Sequence, residues 1–336
     1  MKRFLFLLYI PILAIIGCNS PNQSSELHTY TEEANHMGTV FQITALGENE
    51  DIAKDAVKSA YEEVERIEKL ISSWDENSET SLINRNAGIR PVKVSEELFN
   101  LIDRSKKVSK LTNGVFDISF ASIDKIWHFD GTMTEIPTAE AIANSVAKIN
   151  YEHIILNYDS LSVFLKDEGM KIGFGGIGKG YTANRCKTIM LENGIMNGVV
   201  NAGGDLITWG KQSNGEDWTI GIADPSKKES ALSYLNINDQ SVVTSGNYER
   251  FIEIDGKKYC HIIDPRTGWP AESLNSVTII CSDAEIGDAL ATSVFILGVD
   301  EGLALINQLQ DIECFIVDEQ DSLFYSNGVE LEYSND

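Results

Sequence analysis

Residues 171–184, KIGFGGIGKGYTAN, place glycines at 173, 175, 176, 178 and 180, and the sequence then becomes helical through Ala183, Cys186, Ile189, Met190 and Leu191 to Gly194. Backbone without side chains can pass close to a ligand. A helix that begins behind such a loop presents unpaired N–H groups, so its N-terminus is a ready anion site. Lys179 adds positive charge there. The segment is not a Walker loop, because Gly180 follows Lys179 where Ser or Thr is required. Gly173 to Gly178 match the letters of the dinucleotide fingerprint, but no acidic residue stands about twenty residues further on at a strand end.

A second constraint lies in residues 241–270. Phe251, Ile252 and Ile254, then Asp255-Gly256, then Tyr259 to Ile263 read as two strands joined by a hairpin dipeptide. The second strand delivers His261 and Asp264 to its end, where Pro265 and Gly268 bend the chain. Residues so placed can reach a ligand. They equally suit a core histidine and a turn-forming aspartate, and the segment alone leaves both readings open. Thr244-Ser245-Gly246-Asn247 forms a polar cluster that ends the preceding strand.

The chain has 336 residues, a formal charge of −24 and a pI near 4.5. That length allows two domains or one large α/β or α+β unit. The acidity is spread along the chain and excludes nucleic acid as a partner, since the phosphate backbone is held by clustered Lys and Arg. Lys2 and Arg3 precede an apolar run from Phe4 to Ile16 that is short for a membrane span and closes on Ile15-Ile16-Gly17-Cys18. This pattern resembles a bacterial lipoprotein signal. Residues 1–17 would be removed, Cys18 would carry the lipid, and residues 18–26 would form a polar tether ahead of a domain over residues 27–336. The other cysteines, Cys186, Cys260, Cys281 and Cys314, lie in apolar surroundings without CxxC spacing and read as buried small hydrophobes.

Along the chain, His36-Met37-Gly38-Thr39 leads into a strand from Val40 to Leu46. Apolar positions at Ile52, Val57, Ala60, Val64, Ile67, Leu70 and Ile71 predict an amphipathic helix over 51–73. The following segment to Asn86 is polar, with Trp74 its one large aromatic, either a packing cap or a stacking platform. Ser95 predicts an N-cap for a helix over Glu96–Leu111, ended by Thr112-Asn113-Gly114, and Pro137-Thr138 open another helix to about Ile149. Ile154 to Leu156 and Ser162 to Leu165 read as paired strands, and Asn201-Ala202-Gly203-Gly204-Asp205 is a second glycine turn that presents an acidic residue. Val277 to Cys281 is a strand, 284–297 a helix continued at Leu303 to Leu309, and Cys314 to Val317 and Ser322 to Tyr325 are closing strands. Asp288 and Thr292 stand four apart on one helix face, a spacing that suits hard oxygen ligands for Mg²⁺ or Ca²⁺ and also suits a threonine bonded back to its own helix.

The order of these blocks resembles the ApbE-like FAD:protein FMN transferases. The blocks are Met37-Gly38-Thr39, Ser73-Trp74 with Ser78 to Asn84, Gly114 to Asp117, Gly175 to Tyr181, Asn201 to Asp205, Thr244 to Arg250, His261 to Pro265 with Gly268, and Asp288 to Thr292. The resemblance implies an α+β fold, a single catalytic unit of two intertwined lobes with the flavin between them. It implies Mg²⁺-dependent transfer of FMN from FAD to a Thr or Ser hydroxyl of an acceptor flavoprotein, with release of AMP. Acceptors in the family include subunits of membrane electron-transport complexes, and the expected place is the bacterial cell envelope, lipid-anchored and facing the periplasm.

Carried onto this sequence, the resemblance implies metal contacts from Gly178, Asp288, Ala291 and Thr292. It implies flavin contacts from Met37, Trp74, Phe116, Asp117, Ile118, Gly175, Tyr181 and Val277, and it places His261 beside the transferred phosphate. Lys179 is expected to support the anionic substrate, His261 to accept the hydroxyl proton, and Asp288 to act chiefly as a metal ligand. Two positions depart from the family pattern: Gly173 stands where an acidic residue is expected, and Ala183-Asn184 replace a small residue followed by Asp. Some relatives hydrolyse FAD to FMN and AMP. An FAD pyrophosphatase, or a lipoprotein that binds FAD without catalysis, are therefore the alternatives.

Overall fold

The computed structural model describes residues 27–223 and 231–329. The expected signal peptide, Cys18 and the tether lie outside the described residues.

The chain opens with a hairpin of β1 (His28–His36) and β2 (Thr39–Gly47), joined through Met37 and Gly38 in left-handed conformations with φ of 51° and 73°. Helix α1 (Glu50–Ile71) follows, its first turn capped by Asn49, whose side chain accepts from Ile52 N–H at 2.9 Å. The polar segment after it contains a short helix, α2 (Glu79–Arg85), which the sequence reading passes over; Ser78 caps it at 2.9 Å and Ile83 anchors it in the interior. Next come β3 (Val92–Lys93), α3 (Glu96–Leu111) capped by Ser95, a 3₁₀ turn over Ile118–Ile126, and α4 (Ala139–Val146) capped by Thr138. Helix α4 stops short of the predicted Ile149. The strands β4 (Ile154–Asn157) and β5 (Ser162–Leu165) pair as expected, with β3 on the other side of β5.

Helix α5 (Gly178–Glu192) begins inside the glycine-rich segment. It leads to β6 (Asn197–Ala202), β7 (Asp205–Trp209), β8 (Trp218–Ala223), β9 (Ala231–Ile237), β10 (Ser241–Gly246), and a hairpin of β11 (Phe251–Ile254) and β12 (Lys257–Cys260). The hairpin turns on Asp255 and Gly256, with φ of 52° and 76°, as that dipeptide predicts. Strand β13 (Leu274–Cys281), helix α6 (Ala284–Ile306), β14 (Glu313–Asp318) and β15 (Leu323–Tyr325) complete the described chain. Helix α6 joins the two predicted helical pieces across a break at Gly298, where φ is 79° and ψ is −172°.

Eight strands form one antiparallel sheet in the order β1-β2-β6-β7-β10-β13-β14-β15. Its inner face carries Phe41, Ile43, Val200, Ile207, Val243 and Ile279, covered by α1, α5 and α6. Its outer face at Val242, Ile280 and Phe315 meets Ile222 and Ile237 of the β8–β9 hairpin. A second core gathers Ile83, Leu98, Ile102, Ile154, Leu165 and Phe174 beneath the small sheet. The two cores share helices. In α1, Ala53 to Val64 serve the first and Ile67 and Ile71 the second; in α6, Ala289 serves the second and Leu290, Ala291 and Val294 the first. Continuous helices through both cores tie the two lobes into one packed unit. A third, smaller core of Ile123, Trp127, Ile142, Ile252, Tyr259 and Ile263 backs the β11–β12 hairpin.

The four cysteines Cys186, Cys260, Cys281 and Cys314 are free and buried, as their apolar surroundings predict.

Candidate functional site

Where the lobes meet, the glycine-rich loop, the Phe116–Ile118 segment, the residues after β12 and one face of α6 enclose a cavity of about 170 Å³. Gly173 N–H donates to the Ile118 carbonyl at 2.9 Å and ties the first two walls together. Gly175 has nothing within 4 Å of the position its Cβ would take, so its backbone lies open to a ligand. Gly176 is the reverse case: a Cβ there would meet Thr292 Oγ1 at 3.2 Å and the Phe116 ring at 3.6 Å. Deeper in, a Cβ on Gly180 would stand 2.0 Å from the Ala284 carbonyl oxygen, so the starts of α5 and α6 touch through backbone. The loop is therefore glycine-rich for two reasons, one face open and one face jammed.

His261 lines this cavity directly after β12. Its N–H donates to the Arg250 carbonyl at 3.0 Å, and Nδ1 lies 3.2 Å from the same oxygen. A carbonyl can only accept, so Nδ1 carries the proton and Nε2 keeps its lone pair. Burial lowers the imidazole pKa to about 4, helped by the positive charges of Arg250 and Lys179 and opposed by the carbonyl bond, so the ring is neutral at ordinary pH. Asp264, its candidate companion, is absorbed by the turn: its carboxylate accepts from Arg266 at 2.8 and 2.9 Å, and its carbonyl accepts from Gly268 at 2.8 Å.

Among the expected flavin contacts, Phe116, Asp117, Ile118 and Gly175 line the cavity. The Asp117 carboxylate faces inward, accepting from Ser119 N–H at 2.7 Å, Ser119 Oγ at 2.6 Å and Tyr151 N–H at 2.8 Å, and burial still raises its pKa. Met37 lies outside the cavity lining, its N–H held by Glu68 Oε1 at 2.8 Å and its sulfur 3.6 Å from Thr182 Oγ1. Trp74 stands on the surface, 74% exposed. Tyr181 is buried with its hydroxyl on Glu97 and the Arg104 guanidinium 5.6 Å from its ring, and Val277 is fully buried in β13. Phe120, Pro265 and Ile296 also line the cavity. Ile296 continues the i, i+4 row of Asp288 and Thr292, which is the sequence signal that could have found it.

Thr292 Oγ1 sits against Gly176, while its neighbour Ser293 makes the backward bond, to Ala289 O at 2.6 Å. Asp288 is 3% exposed and accepts from Gly180 N–H through Oδ2 at 3.0 Å. Lys179 Nζ lies 2.5 Å from Asp205 Oδ2, outside the cavity lining, and Asp205 is 1% exposed. Asp205 Oδ1 has no hydrogen-bond partner, and burial followed by the charge of Asp288 pushes the Asp205 pKa well up. One ammonium thus faces an excess of buried carboxylate, the setting in which a bound cation would be stabilised. Among the described residues no three His, Cys, Asp or Glu side chains group as metal ligands. Mg²⁺ does not need them, since it takes one or two carboxylates with phosphate oxygens and waters. The oxygens of Asp288, Thr292, Gly178 and Ala291 are a chemically suitable set.

The two departures from the family pattern have structural accounts. Asn184 Nδ2 donates to Asp283 Oδ1 at 2.7 Å and its Oδ1 accepts from Ala284 N–H at 3.1 Å, so it binds the start of α6. At Gly173 a Cβ would come within 3.1 Å of Ala121 Cβ, which leaves a longer acidic side chain little room.

Comparison with known proteins identifies relatives of this chain. An FAD:protein FMN transferase from Klebsiella pneumoniae (strain 342) is 33% identical over 312 residues, 92% of this chain and 96% of that protein. One from Escherichia coli (strain K12) is 28% identical over 306 residues, 88% and 87% of the two chains. The crystal structure of the ApbE protein from Thermotoga maritima superposes with a TM-score of 0.83 at 30% identity, covering 89% of this chain and 97% of that one. Flavin transferase ApbE from Vibrio cholerae superposes at 0.80 with 24% identity over 90% and 98%, a likeness of fold. The pattern that defines the ApbE family matches residues 37–316, most of the chain, and with the cavity between its lobes this protein belongs to that family.

Proposed function

We infer that this chain transfers FMN from FAD to an acceptor protein. The observation that carries the reading is the cavity in which a neutral His261 faces open glycine backbone and the Thr292 face of α6. The acceptor supplies a Thr or Ser hydroxyl. Its oxygen attacks the FMN-side phosphorus of FAD, the bond to the bridging oxygen breaks, and AMP leaves with that electron pair. His261 Nε2 takes the hydroxyl proton as the new O–P bond forms, and the Arg250 carbonyl fixes the tautomer that makes this possible.

The exposed amide backbone at Gly175 and the walls at Phe116 and Ile118 hold the substrate in line. Asp288, Thr292, Gly178 and Ala291 would hold Mg²⁺. When bound, the ion supplies positive charge against the pyrophosphate oxygens. This chain is otherwise acidic, with a net charge of −24, so that local charge decides whether an anionic substrate enters. Lipidation at Cys18 would place the enzyme in the bacterial cell envelope facing the periplasm, beside flavoprotein subunits of membrane electron-transport complexes as acceptors.

The test mixes the chain from Asn19 onward with FAD, Mg²⁺ and an acceptor flavoprotein domain, weighs the acceptor by intact-mass spectrometry and assays AMP. A mass gain of one FMN phosphoester with matching AMP, lost in EDTA, is expected. Free FMN and AMP without a mass gain would identify a pyrophosphatase, and unchanged bound FAD a flavin-binding lipoprotein.

A further inference from the structure

One three-residue segment, Gly178-Lys179-Gly180, serves two carboxylates at once. Gly180 N–H donates to Asp288 Oδ2 at 3.0 Å, while the ammonium of the adjacent Lys179 lies 2.5 Å from Asp205 Oδ2. The segment is packed closely on the start of α6, where a Cβ at Gly180 would stand 2.9 Å from Asp288 Cβ and 2.0 Å from the Ala284 carbonyl oxygen. Lys179 feels the charges of Asp205 and Asp288, and more weakly that of Glu249. It pairs with Asp205, which opens β7 straight after a turn whose Gly203 and Gly204 have φ of 65° and 104°. Gly203 is pressed onto Thr39, a Cβ there meeting Thr39 Oγ1 at 2.1 Å, so the turn that aims Asp205 is fixed against β2. An ammonium on Asp288 and a divalent cation on Asp288 exclude one another, since like charges repel strongly at low dielectric.

We propose that Asp205 is a positioning residue for the cation site: it holds the Lys179 ammonium on its own carboxylate and thereby leaves Asp288 to a divalent cation. The inference rests on the reading of Asp288 as a cation ligand. It also gives a role to a buried carboxylate that lies outside the cavity lining.

The test is a double-mutant cycle on Mg²⁺ binding by the full chain in detergent, followed by calorimetry with Mg²⁺ alone and neither FAD nor acceptor present. Asp205→Asn is expected to weaken Mg²⁺ binding at least about tenfold, because the released ammonium moves to Asp288. In a Lys179→Met background the same change is expected to cost less than about twofold, because there is no ammonium to release. An equal loss in both backgrounds would overturn the proposal, as Asp205 would then act as a ligand or by its charge alone. Should Asp205→Asn fail to fold by circular dichroism, Lys179→Met decides alone: binding as tight as wild type or tighter is expected, and weaker binding overturns it. No Mg²⁺ heat from the wild-type chain would also overturn it. FMN transfer is scored separately by acceptor mass, so a protein that binds Mg²⁺ as described yet modifies no acceptor would fail the transferase reading and leave this one standing.

Discussion

His261 hangs from a single acceptor, the Arg250 carbonyl oxygen, by both its backbone N–H at 3.0 Å and its ring Nδ1 at 3.2 Å. The hairpin supplies this geometry, since Arg250 and His261 are the residues just outside the paired strands β11 and β12. A turn encoded by Asp255-Gly256 therefore ends in a fixed imidazole tautomer at the cavity wall.

Replacing that ring tests its role. His261→Ala is expected to lower FMN transfer by roughly 10² to 10⁴-fold, the usual contribution of a positioned proton acceptor, with FAD binding little changed. Equilibrium dialysis of FAD beside acceptor mass spectrometry separates the two effects. Wild-type transfer at unchanged FAD binding in the variant would remove His261 from the mechanism.

Acid stability carries a second signature. The His261 pKa is lowered to about 4 in the folded chain, below its unfolded value near 6.5, so between these values only the unfolded state binds the proton. Folding stability is unaffected by this group above about pH 6.5 and falls as pH drops from there toward 4. His261→Ala should flatten that part of the profile in urea titrations at stepped pH. A profile as steep as wild type would show that another group is responsible.

Asp288 offers a cleaner separation of chemistry from folding. An Asn at this position can still accept from Gly180 N–H but lacks the charge that would hold Mg²⁺. Asp288→Asn should therefore reduce transfer by at least about a hundredfold with a thermal midpoint close to wild type. EDTA should do the same to the wild-type chain, reversibly on adding Mg²⁺.

Gly180 tests packing, because no side chain fits where it stands. Ala at this position would drive its Cβ to 2.0 Å from Ala284 O and 2.6 Å from Ala284 C, backbone atoms that cannot rotate away. Destabilisation of about 3 kcal/mol or more is expected, at the upper end for overpacking, read from the urea midpoint at constant slope. A change below about 0.5 kcal/mol would mean that α5 and α6 separate more easily than their backbone contact indicates.

The thiols report on the fold as a whole. Burial pushes the pKa of Cys186, Cys260, Cys281 and Cys314 up, which leaves little thiolate to react. The chain from Asn19 onward should give no rapid reaction with a disulfide reagent when native and four thiols when denatured. One fast-reacting native thiol would identify a locally open segment.

Signals that act over a few residues were legible in the sequence. The cap at Ser95, the helix opened by Pro137-Thr138, the Asp255-Gly256 turn, the amphipathic repeat of α1 and the α6 row of Asp288 and Thr292 each depend on neighbours within one or two turns. Strand β1, HTYTEEANH, was not legible, because it is an edge strand largely exposed, without an alternating apolar face, and it exists through its pairing with β2. Helix α2 was missed for a related reason: seven residues cannot sustain a helix alone, and Ser78 and the packing of Ile83 supply what propensity lacks.

By itself the sequence determined which residues could do chemistry, since His, Asp and Gly types in that order and spacing are carried by the chain wherever it folds. Tertiary structure decided which of them meet. It set His261 and Thr292 on one cavity with Gly175 between the lobes, turned Asp264 into a turn residue, and closed Lys179 onto Asp205. Those choices depend on burial and on charges brought together from distant parts of the chain, and such energies exist only once the lobes have packed.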